Sequence, residues 1–455
     1  MTTVLLIYPF FKPRRDRSVF RFPPLGVCYI AASLQQAGHI VQLIDCTFLN
    51  RKEALKKALA VGADVVGIYS MVSMLDECLW FAEQLKGHCQ LLIAGGPMPT
   101  CDPLPFVEHF DIVVRGEGEQ TMPELLRAYE EKSDLSQVAG IAYRSTTGTP
   151  AQGDVIFTAN RAFTNELDRI PFPARELLPN DRYIQYGKKK YGYSITTVMS
   201  SRGCPFSCEF CSNVVFGNSY RERSSQNVVD EIEEALKLGY DRISFADDVF
   251  TLKRERVVEI CQKIRQRGLD FQWECLARVD NLDYATALEM KLAGCTRIFF
   301  GIESGNNQIL KLMNKNITAA GARIAVDAAH QAGLQVGAFF ILCYPGDTND
   351  TVLETLHFST TLPLDYLGLS MPYPLPGTDL YSRTKDRINR DWHPDDSLFG
   401  SHVLIFNADF SEAKMWFGIM KGHAQFKIKK RMGKMAPLVL ELFEKLTDAI
   451  FRLLK

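Results

Sequence analysis

The first 145 residues alternate between short apolar runs and segments that carry apolar residues at helical spacing. Five runs, each ending near Gly, Pro or Ser, predict strands at residues 4–9, 41–45, 65–70, 91–95 and 112–114. Helices are predicted between them at residues 25–36, 51–59, 76–86 and 121–131. Five successive βα units predict an α/β fold in which residues 1–140 form a Rossmann-like domain with an open parallel sheet. Such sheets bind ligands at the carboxyl ends of their strands.

The alternation is lost and then resumes in the second half of the chain. Turn signals at residues 146–150 and 171–173 predict a linker over residues 141–191 that includes one hairpin. Six further strands are predicted at residues 195–200, 242–245, 271–276, 297–301, 335–342 and 366–371, with helices such as 228–238 and 319–332 between them. Six βα units predict a partial barrel over residues 192–376. Residues 377–455 are predicted to be a mainly helical C-terminal cap, irregular at first and helical over 436–455.

Composition narrows the class of protein without naming a reaction. A chain of 455 residues exceeds what one core usually supports, which favours two or three domains. Apolar residues make up 46% and charged residues 23%, and 52 basic against 53 acidic side chains leave a net charge of -1, so no nucleic-acid partner is expected. Residues 1–9 read directly into a strand, and no run of about 18 apolar residues occurs, so we expect a cytoplasmic protein.

Twelve cysteines without a signal peptide indicate reduced thiols rather than disulfides. Directly after the predicted strand 195–200, residues 201–212 read S-R-G-C-P-F-S-C-E-F-C-S. The thiolates of Cys204, Cys208 and Cys211 can hold three irons of a [4Fe-4S] cubane and leave the fourth iron open to substrate. A structural zinc site would need four ligands, so a zinc knuckle and three unrelated buried thiols are the weaker alternatives. Four other cysteines lack motif spacing and are interpreted as core thiols: Cys261, Cys275, Cys295 and Cys343.

This cysteine spacing, with an aromatic residue just before the last cysteine, resembles that of the radical S-adenosylmethionine enzymes. In that family the open iron chelates the amino and carboxylate groups of S-adenosylmethionine. One electron, which must come from an external reductant, then releases a 5′-deoxyadenosyl radical that removes hydrogen from unactivated carbon. The resemblance covers about residues 195–376 and continues at successive predicted strand ends. It implies S-adenosylmethionine contacts, against the alternative of ordinary surface ion pairs, for Phe210, Asp247, Asp248, Arg278, Glu303 and Ser304.

The N-terminal sheet resembles the cobalamin-binding domain found in one branch of that family. The matching elements are the S-x-L segment 73–75, the paired glycines at 95–96 and the loop 115–119. The family's D-x-H-x-x-G element is missing after the first strand, and His39 is the first histidine of the chain. The resemblance therefore implies base-off cobalamin without a histidine axial ligand; the alternative is a plain nucleotide-binding sheet. The implied cobalamin contacts are Pro9, Ser70, Ser73, Leu75, Gly95, Gly96, Pro97, Gly116 and Glu117.

Together the two resemblances imply a cobalamin-dependent radical C-methyltransferase, in which a substrate radical takes the methyl group of methylcobalamin. Relatives of this compact layout methylate lipids, small metabolites or residues within proteins, such as a glutamine of methyl-coenzyme M reductase, and the substrate stays open here. The alternative enzyme keeps both cofactors but performs cyclisation or oxidative rearrangement. A cofactor-binding sensor without turnover is a third hypothesis.

The remaining candidates lie towards the C-terminus. The proline-rich loop 371–378 should cross the barrel mouth, and Tyr344 and Tyr373 are weak catalytic candidates there, although a rigid turn is the favoured interpretation. Residues 413–440 carry seven basic and no acidic side chains, including Lys434. The following apolar helical face, from 438 to 454, is expected to pack on the barrel rather than to contact a membrane surface, which is the alternative.

Overall fold

The computed structural model describes residues 1–11, 21–145, 154–388, 406–432 and 436–454. The predicted turn at 146–150 and the basic residue Lys434 lie outside these ranges. The N-terminal strands are β1 (Thr3–Tyr8), β2 (Ile40–Asp45), β3 (Val65–Tyr69), β4 (Leu91–Gly95), β5 (Ile112–Val114), β6 (Ile141–Arg144) and β7 (Val155–Phe157). The helices among them are α1 (Leu25–Gln36), α2 (Arg51–Val61), α3 (Leu75–Leu85), α4 (Pro97–Cys101), α5 (Leu104–Val107) and α6 (Gly118–Glu130).

These strands form one sheet in the order β2-β1-β3-β4-β5-β6-β7. The first five are parallel, as the repeated βα pattern predicts, and the pairings of β6 with β5 and of β7 with β6 are antiparallel. The expected hairpin is thus present, and it extends the N-terminal sheet. Both faces of the sheet are covered, with separate apolar clusters on its two sides, which explains why its strands are continuous apolar runs.

A second sheet forms the partial barrel that the six-fold pattern predicts. Its strands are β8 (Ile195–Val198), β11 (Arg242–Phe245), β12 (Gln272–Ala277), β13 (Cys295–Glu303), β14 (Gln335–Ile341) and β15 (Tyr366–Ser370). They lie in sequential order and pair in parallel. Its helices are α8 (Ser225–Lys237), α9 (Arg254–Gln266), α10 (Tyr284–Leu292), α11 (Asn307–Leu312), α12 (Ala319–Gln331) and α13 (Asn349–Thr361). A short ladder missed by the sequence analysis, β9 (Ser201–Arg202) with β10 (Arg221–Glu222), closes the base of the cysteine-containing loop.

The linker contains an unpredicted helix, α7 (Asn180–Tyr191), and a buried polar junction that joins the two halves of the molecule. Glu231 on α8 is fully buried and pairs with the guanidinium groups of Arg175, from the linker, and Arg223. The hydroxyl of Tyr29 on α1 donates to the same carboxylate at 3.3 Å. One carboxylate therefore connects the N-terminal domain, the linker and the barrel.

The C-terminal region is helical, with α14 (Asp379–Thr384), α15 (Glu412–Met432) and α16 (Ala436–Leu453). The expectation that the apolar face of α16 packs on the barrel is wrong for most of that face. The helix buries a neighbouring stripe that includes Thr447 and Phe451, while the predicted stripe faces outwards at 38–83% exposure: Leu438, Leu442, Leu446, Ile450 and Leu453. In the part of the chain that the structure describes, we find no helix with the length and apolarity needed to span a bilayer.

Candidate functional site

The three cysteines of the motif lie on one loop, residues 203–220, at the carboxyl end of β8. The loop begins at Gly203, whose φ of +79° and closeness to the carbonyl of Ser219, 2.3 Å from an added Cβ, leave no space for a side chain. Cys204 is buried, Cys208 is half-buried and Cys211 is exposed. Burial raises the pKa of the Cys204 thiol, and the neighbouring carboxylate of Asp248 and thiol of Cys208 raise it further.

The donor set fits a cubane better than a single ion. Among the described residues, no three His, Cys, Asp or Glu side chains converge as the ligands of one metal ion would. A zinc site requires thiolates about 2.3 Å from one centre, whereas the irons of a cubane occupy separate corners and accept one thiolate each. The cysteine loop thus presents three separate thiols at the carboxyl end of β8.

Arg278 connects the cysteine loop to the next layer of the site. It follows β12, is 4% exposed, and lies with its Cζ 3.6 Å from the ring centroid of Phe206. Its Nη1 is 3.8 Å from Sγ of Cys208, and its Nη2 donates to the carbonyl of Lys315 at 2.8 Å. The side chain also pairs with Asp280 at 3.0 Å. Arg278 therefore fixes the loop between its first two cysteines.

The two predicted aspartates after β11 have different surroundings. Asp247 is buried and accepts hydrogen bonds from the backbone amide of Ser200 at 2.7 Å and from the hydroxyls of Ser200 and Ser201 at 2.5 Å each. These contacts hold the strand from which the cysteine loop leaves. Asp248, by contrast, is accessible to solvent at the barrel mouth. The surrounding protein still removes part of the hydration of its carboxyl group, and this desolvation, together with the charge of Asp247, raises its pKa. Asp248 is the better placed of the two to meet a ligand.

Glu303 and Ser304 end β13 in a strained turn. Glu303 adopts a left-handed φ of +71° and is 7% exposed, and its Oε1 accepts from the Nζ of buried Lys315 at 3.2 Å. Lys315 was missed by the sequence analysis, and its ammonium also lies 5.7 Å from the ring centroid of Phe210. The Ser304 hydroxyl is 3.0 Å from that of Thr355 and accepts from the amide of Asn306. The strain at Glu303 is typical of a binding site.

The two candidate tyrosines, Tyr344 and Tyr373, have different surroundings. Tyr344 is fully buried, and its hydroxyl donates to the carboxylate of Glu209, the residue between Cys208 and Phe210, at 2.5 Å. Arg383 on α14 pairs with the same carboxylate at 2.9 Å. Burial and Glu209 raise the pKa of Tyr344, so this tyrosine holds the cysteine loop in place. Tyr373 lies half-buried in the loop after β15.

A cavity of about 270 Å³ lies at the carboxyl ends of β1, β3, β4 and β5. Its lining includes five of the predicted cobalamin contacts: Gly95, Gly96, Pro97, Gly116 and Glu117. Gly96 has a φ of +111°, and an added Cβ would be 2.6 Å from the carbonyl of Ser70. Met199, Val215 and Phe216 of the barrel half complete the wall, and none of the described residues that line it is a histidine. The cavity is mostly apolar, and the glycines among its lining residues leave room for part of a ligand to enter between sheet and helices.

The other predicted cobalamin contacts lie outside this lining. Pro9 and Ser70 are buried, and Ser70 bonds the carbonyl of Gly95 through its backbone amide at 2.8 Å. Leu75 begins α3. The hydroxyl oxygen of Ser73 is buried without a hydrogen-bond partner among the described residues. A buried orphan hydroxyl is costly, but Ser73 does not line the cavity.

The predicted loop residue Glu117 contacts the barrel instead of lying free over the cavity. Its carboxylate accepts from Nη1 of Arg202, on β9, at 2.9 Å and from Nη1 of Arg221, on β10, at 2.9 and 3.0 Å. Arg202 also pairs with Glu119 at 2.6 Å. These ion pairs join residues that are about a hundred positions apart in the chain, and they hold the base of the cysteine loop against the rim of the N-terminal cavity. We refer to these four residues, Glu117, Glu119, Arg202 and Arg221, as the clamp.

Two protein-family models match the chain, one in each half. The Radical SAM superfamily model matches residues 198–359, and the B12 binding domain model matches residues 12–126. The uncharacterized methyltransferase PH0819 of Pyrococcus horikoshii is 34% identical over 371 residues, which are 79% of this chain and 78% of that protein. The anaerobic magnesium-protoporphyrin IX monomethyl ester cyclase of Rubrivivax gelatinosus is 27% identical over 85% of this chain and 70% of its own length.

A solved structure has the same fold over almost the whole chain. The cobalamin-dependent S-adenosylmethionine radical enzyme OxsB, with aqua-cobalamin and S-adenosylmethionine bound, matches with a TM-score of 0.74 at 19% identity. The match covers 99% of this chain and 72% of that one.

Proposed function

We propose that this chain, which belongs to the cobalamin-dependent radical S-adenosylmethionine enzymes, is a C-methyltransferase that acts on an unactivated carbon. When bound, the cluster and S-adenosylmethionine supply a 5′-deoxyadenosyl radical that abstracts hydrogen, and methylcobalamin supplies the methyl group. Residues Cys204, Cys208 and Cys211 would hold the cluster. Cobalamin would occupy the cavity lined by Gly95 and Gly96, base-off and without a histidine ligand.

The observation that carries this proposal is the position of the cysteine loop between the two sites. Its cysteines occupy residues 204–211, and a few residues later Val215 and Phe216 line the N-terminal cavity. A substrate carbon at the barrel mouth would therefore lie between the source of the radical and the source of the methyl group. This short separation favours direct methyl transfer over two unrelated cofactor roles.

The chain's own residues would bind and orient the nucleotide. Asp248 presents an exposed carboxylate beside the cysteine loop, and it would accept from the amino group or the ribose. Glu303 and Lys315 are paired and buried at the end of β13. There, a charged group of the nucleotide could replace one partner of the pair and leave the other still neutralised. Arg278 and Glu209 keep the loop rigid, which maintains the geometry that radical chemistry needs.

A second function stays open because the cyclase relative matches 85% of this chain. In that case the same two cofactors would support cyclisation or oxidative rearrangement without methyl transfer. The substrate of a methyl transfer also stays open among lipids, small metabolites and protein residues.

The proposal is tested by anaerobic reconstitution with S-adenosylmethionine carrying a deuterated methyl group. The enzyme is incubated with separate lipid, metabolite and protein fractions of a cell extract and an external one-electron reductant. Mass spectrometry should detect both 5′-deoxyadenosine and a product with the labelled methyl group, and Cys208→Ala should form neither. Formation of 5′-deoxyadenosine without any labelled product in all three fractions would favour the cyclase-type function instead.

The proposed partners are the reductant and a membrane surface. The exposed Cys211 marks the side of the loop where an electron donor would approach. For α16 we propose an anionic bilayer as a partner, because this helix exposes Leu438, Leu442 and Leu446 and follows the end of α15 in the chain, where Lys427, Lys430 and Arg431 are exposed.

A further inference from the structure

The interior of the partial barrel has an open apolar wall. Along the strands, outward residues such as Ile298 and Phe300 are fully buried against the helices. Inward residues retain large exposed fractions, 42% for Leu276 and Phe339 and 38% for Tyr366. In a closed eight-stranded barrel these inward positions fill one another's space. Here the sheet has six strands with β8 and β15 at its ends, so the lumen remains accessible.

Two glycines flatten this wall. A Cβ added at Gly337 would lie 2.3 Å from Cδ1 of Phe299, and one added at Gly368 would lie 2.5 Å from Cδ1 of Phe339. Each ring therefore rests over a glycine of the neighbouring strand. The two rings stack with centroids 5.6 Å apart and planes inclined by 19°. The result is a continuous flat surface rather than side chains that project into the lumen.

The charged groups around the wall are already paired. On the side of the strands' amino ends, Arg297 pairs with Glu274 at 2.9 Å and donates to the hydroxyl of Tyr366 at 2.8 Å. On the side of their carboxyl ends, Glu303 pairs with Lys315 at 3.2 Å. An ionic group placed against Phe299 and Phe339 would lose its hydration without gaining a counter-charge from these pairs.

We infer that the lumen binds an uncharged hydrocarbon portion of the substrate, and that this portion carries the reacting carbon. This inference rests on the proposed function, because the wall is assigned to the substrate by its position next to the proposed radical site. Phe299 and Gly301 lie on the same face of β13, since alternate residues of a strand share a face. A Cβ added at Gly301 would lie 2.5 Å from Oε1 of Glu303 and 3.2 Å from Nζ of Lys315, so the apolar wall extends to two of the residues proposed to hold S-adenosylmethionine.

The chemistry of the wall suits the aliphatic or polycyclic body of a lipid, because hydrocarbon brings no polar group that needs a partner. It does not suit a glutamine within a protein or a charged metabolite, since those would bring unpaired polar groups against Phe339 and Leu276. Of the three substrate classes that the proposed function leaves open, the wall therefore favours lipids over protein residues and charged metabolites.

The test is binding of N-phenyl-1-naphthylamine, an uncharged apolar fluorophore, to the full-length protein without a reductant. Phe339→Asp should weaken its binding by about tenfold or more, because a carboxylate would have to be desolvated beside the probe. Phe339→Leu should stay within about twofold of the unchanged protein, since the wall remains apolar. The matched control is Ile324→Asp, a charge placed at a 70% exposed position on α12, which should have no effect.

Competition then tests the chemical class of the ligand. Displacement of the fluorophore by 1-dodecanol supports a lipid. The inference is overturned if 1-dodecanol does not compete, whether or not protoporphyrin IX does, if L-glutamine displaces the probe, or if all the variants bind it equally. Circular dichroism and cobalamin absorbance exclude misfolding of Phe339→Asp, and Phe339→Leu keeps the comparison valid. Since no turnover is needed, failure of the proposed methyl transfer would leave this binding result unchanged.

Discussion

The clamp should control the order of the cysteine loop, and Glu117→Gln is the sharpest way to perturb it. Glu117 is 9% exposed, and the side chains of Arg202 and Arg221 are 5% and 3% exposed. The two carboxylates and two guanidinium groups balance in charge. Neutralising Glu117 leaves two buried cations against Glu119 alone.

Loss of one partner from a buried ion pair typically costs 3–5 kcal/mol. The glutamine keeps a carbonyl oxygen that can still accept hydrogen bonds, so we expect the lower end, about 3 kcal/mol. Because every 1.4 kcal/mol is a factor of ten, local opening of the β9–β10 ladder should become about 100-fold more frequent.

Hydrogen exchange measured by mass spectrometry checks this value directly. Peptides covering residues 201–222 should lose about 100-fold protection, while peptides from β13 should not change. The matched control is Glu441→Gln, which removes an exposed pair with Lys445 and should cost less than about 1 kcal/mol. Unchanged exchange at 201–222, or an equal increase in β13, would refute the idea that the clamp acts locally on the loop.

Three further results are expected. Gly96→Ala should abolish the absorbance change on adding cobalamin, since its Cβ would lie 2.6 Å from the carbonyl of Ser70 at a φ of +111°; binding as in the unchanged protein would contradict the assignment of the cavity. Burial raises the pKa of Asp347 to about 6, so the neutral carboxyl group stabilises the fold at low pH and this contribution is lost as the pH rises through 6. Over that rise the melting temperature of Asp347→Asn should increase relative to that of the unchanged protein. A difference in melting temperature that does not depend on pH would contradict this sign. Leu442→Asp should reduce sedimentation with anionic phosphatidylglycerol vesicles, whereas equal sedimentation of both proteins would argue against membrane contact through α16.

Much of the fold is visible in the sequence because most strands of both sheets pair in parallel and bury at least one face against helices. Their strands are short apolar runs of fixed spacing, and the predicted and observed bounds of β4, β5 and β11 coincide. The cysteine motif was equally easy to recognise in the sequence, because its three cysteines lie within eight residues. The orientation of α16 could not be predicted, because an amphipathic pattern shows where an apolar stripe lies on a helix but not what the stripe packs against.

The long-range contacts of the site could not be predicted. Glu209 meets Tyr344 across 135 positions, and Glu117 meets Arg221 across 104. No local pattern marks such pairs, because each acidic residue alone is indistinguishable from a solvated surface charge. Lys315 was missed for the same reason, because a lysine flanked by Asn314 and Asn316 carries no local sign that it is buried.

The cysteine loop has a consequence for exchanging domains between relatives. Residues 203–220 belong to the barrel in sequence, yet Val215 and Phe216 form part of the wall of the N-terminal cavity and the loop's stem binds Glu117. A chimaera joined within the linker would combine one parent's cavity with the other parent's wall and stem. To transplant cofactor specificity intact, the graft must carry residues 199–222 along with the N-terminal domain.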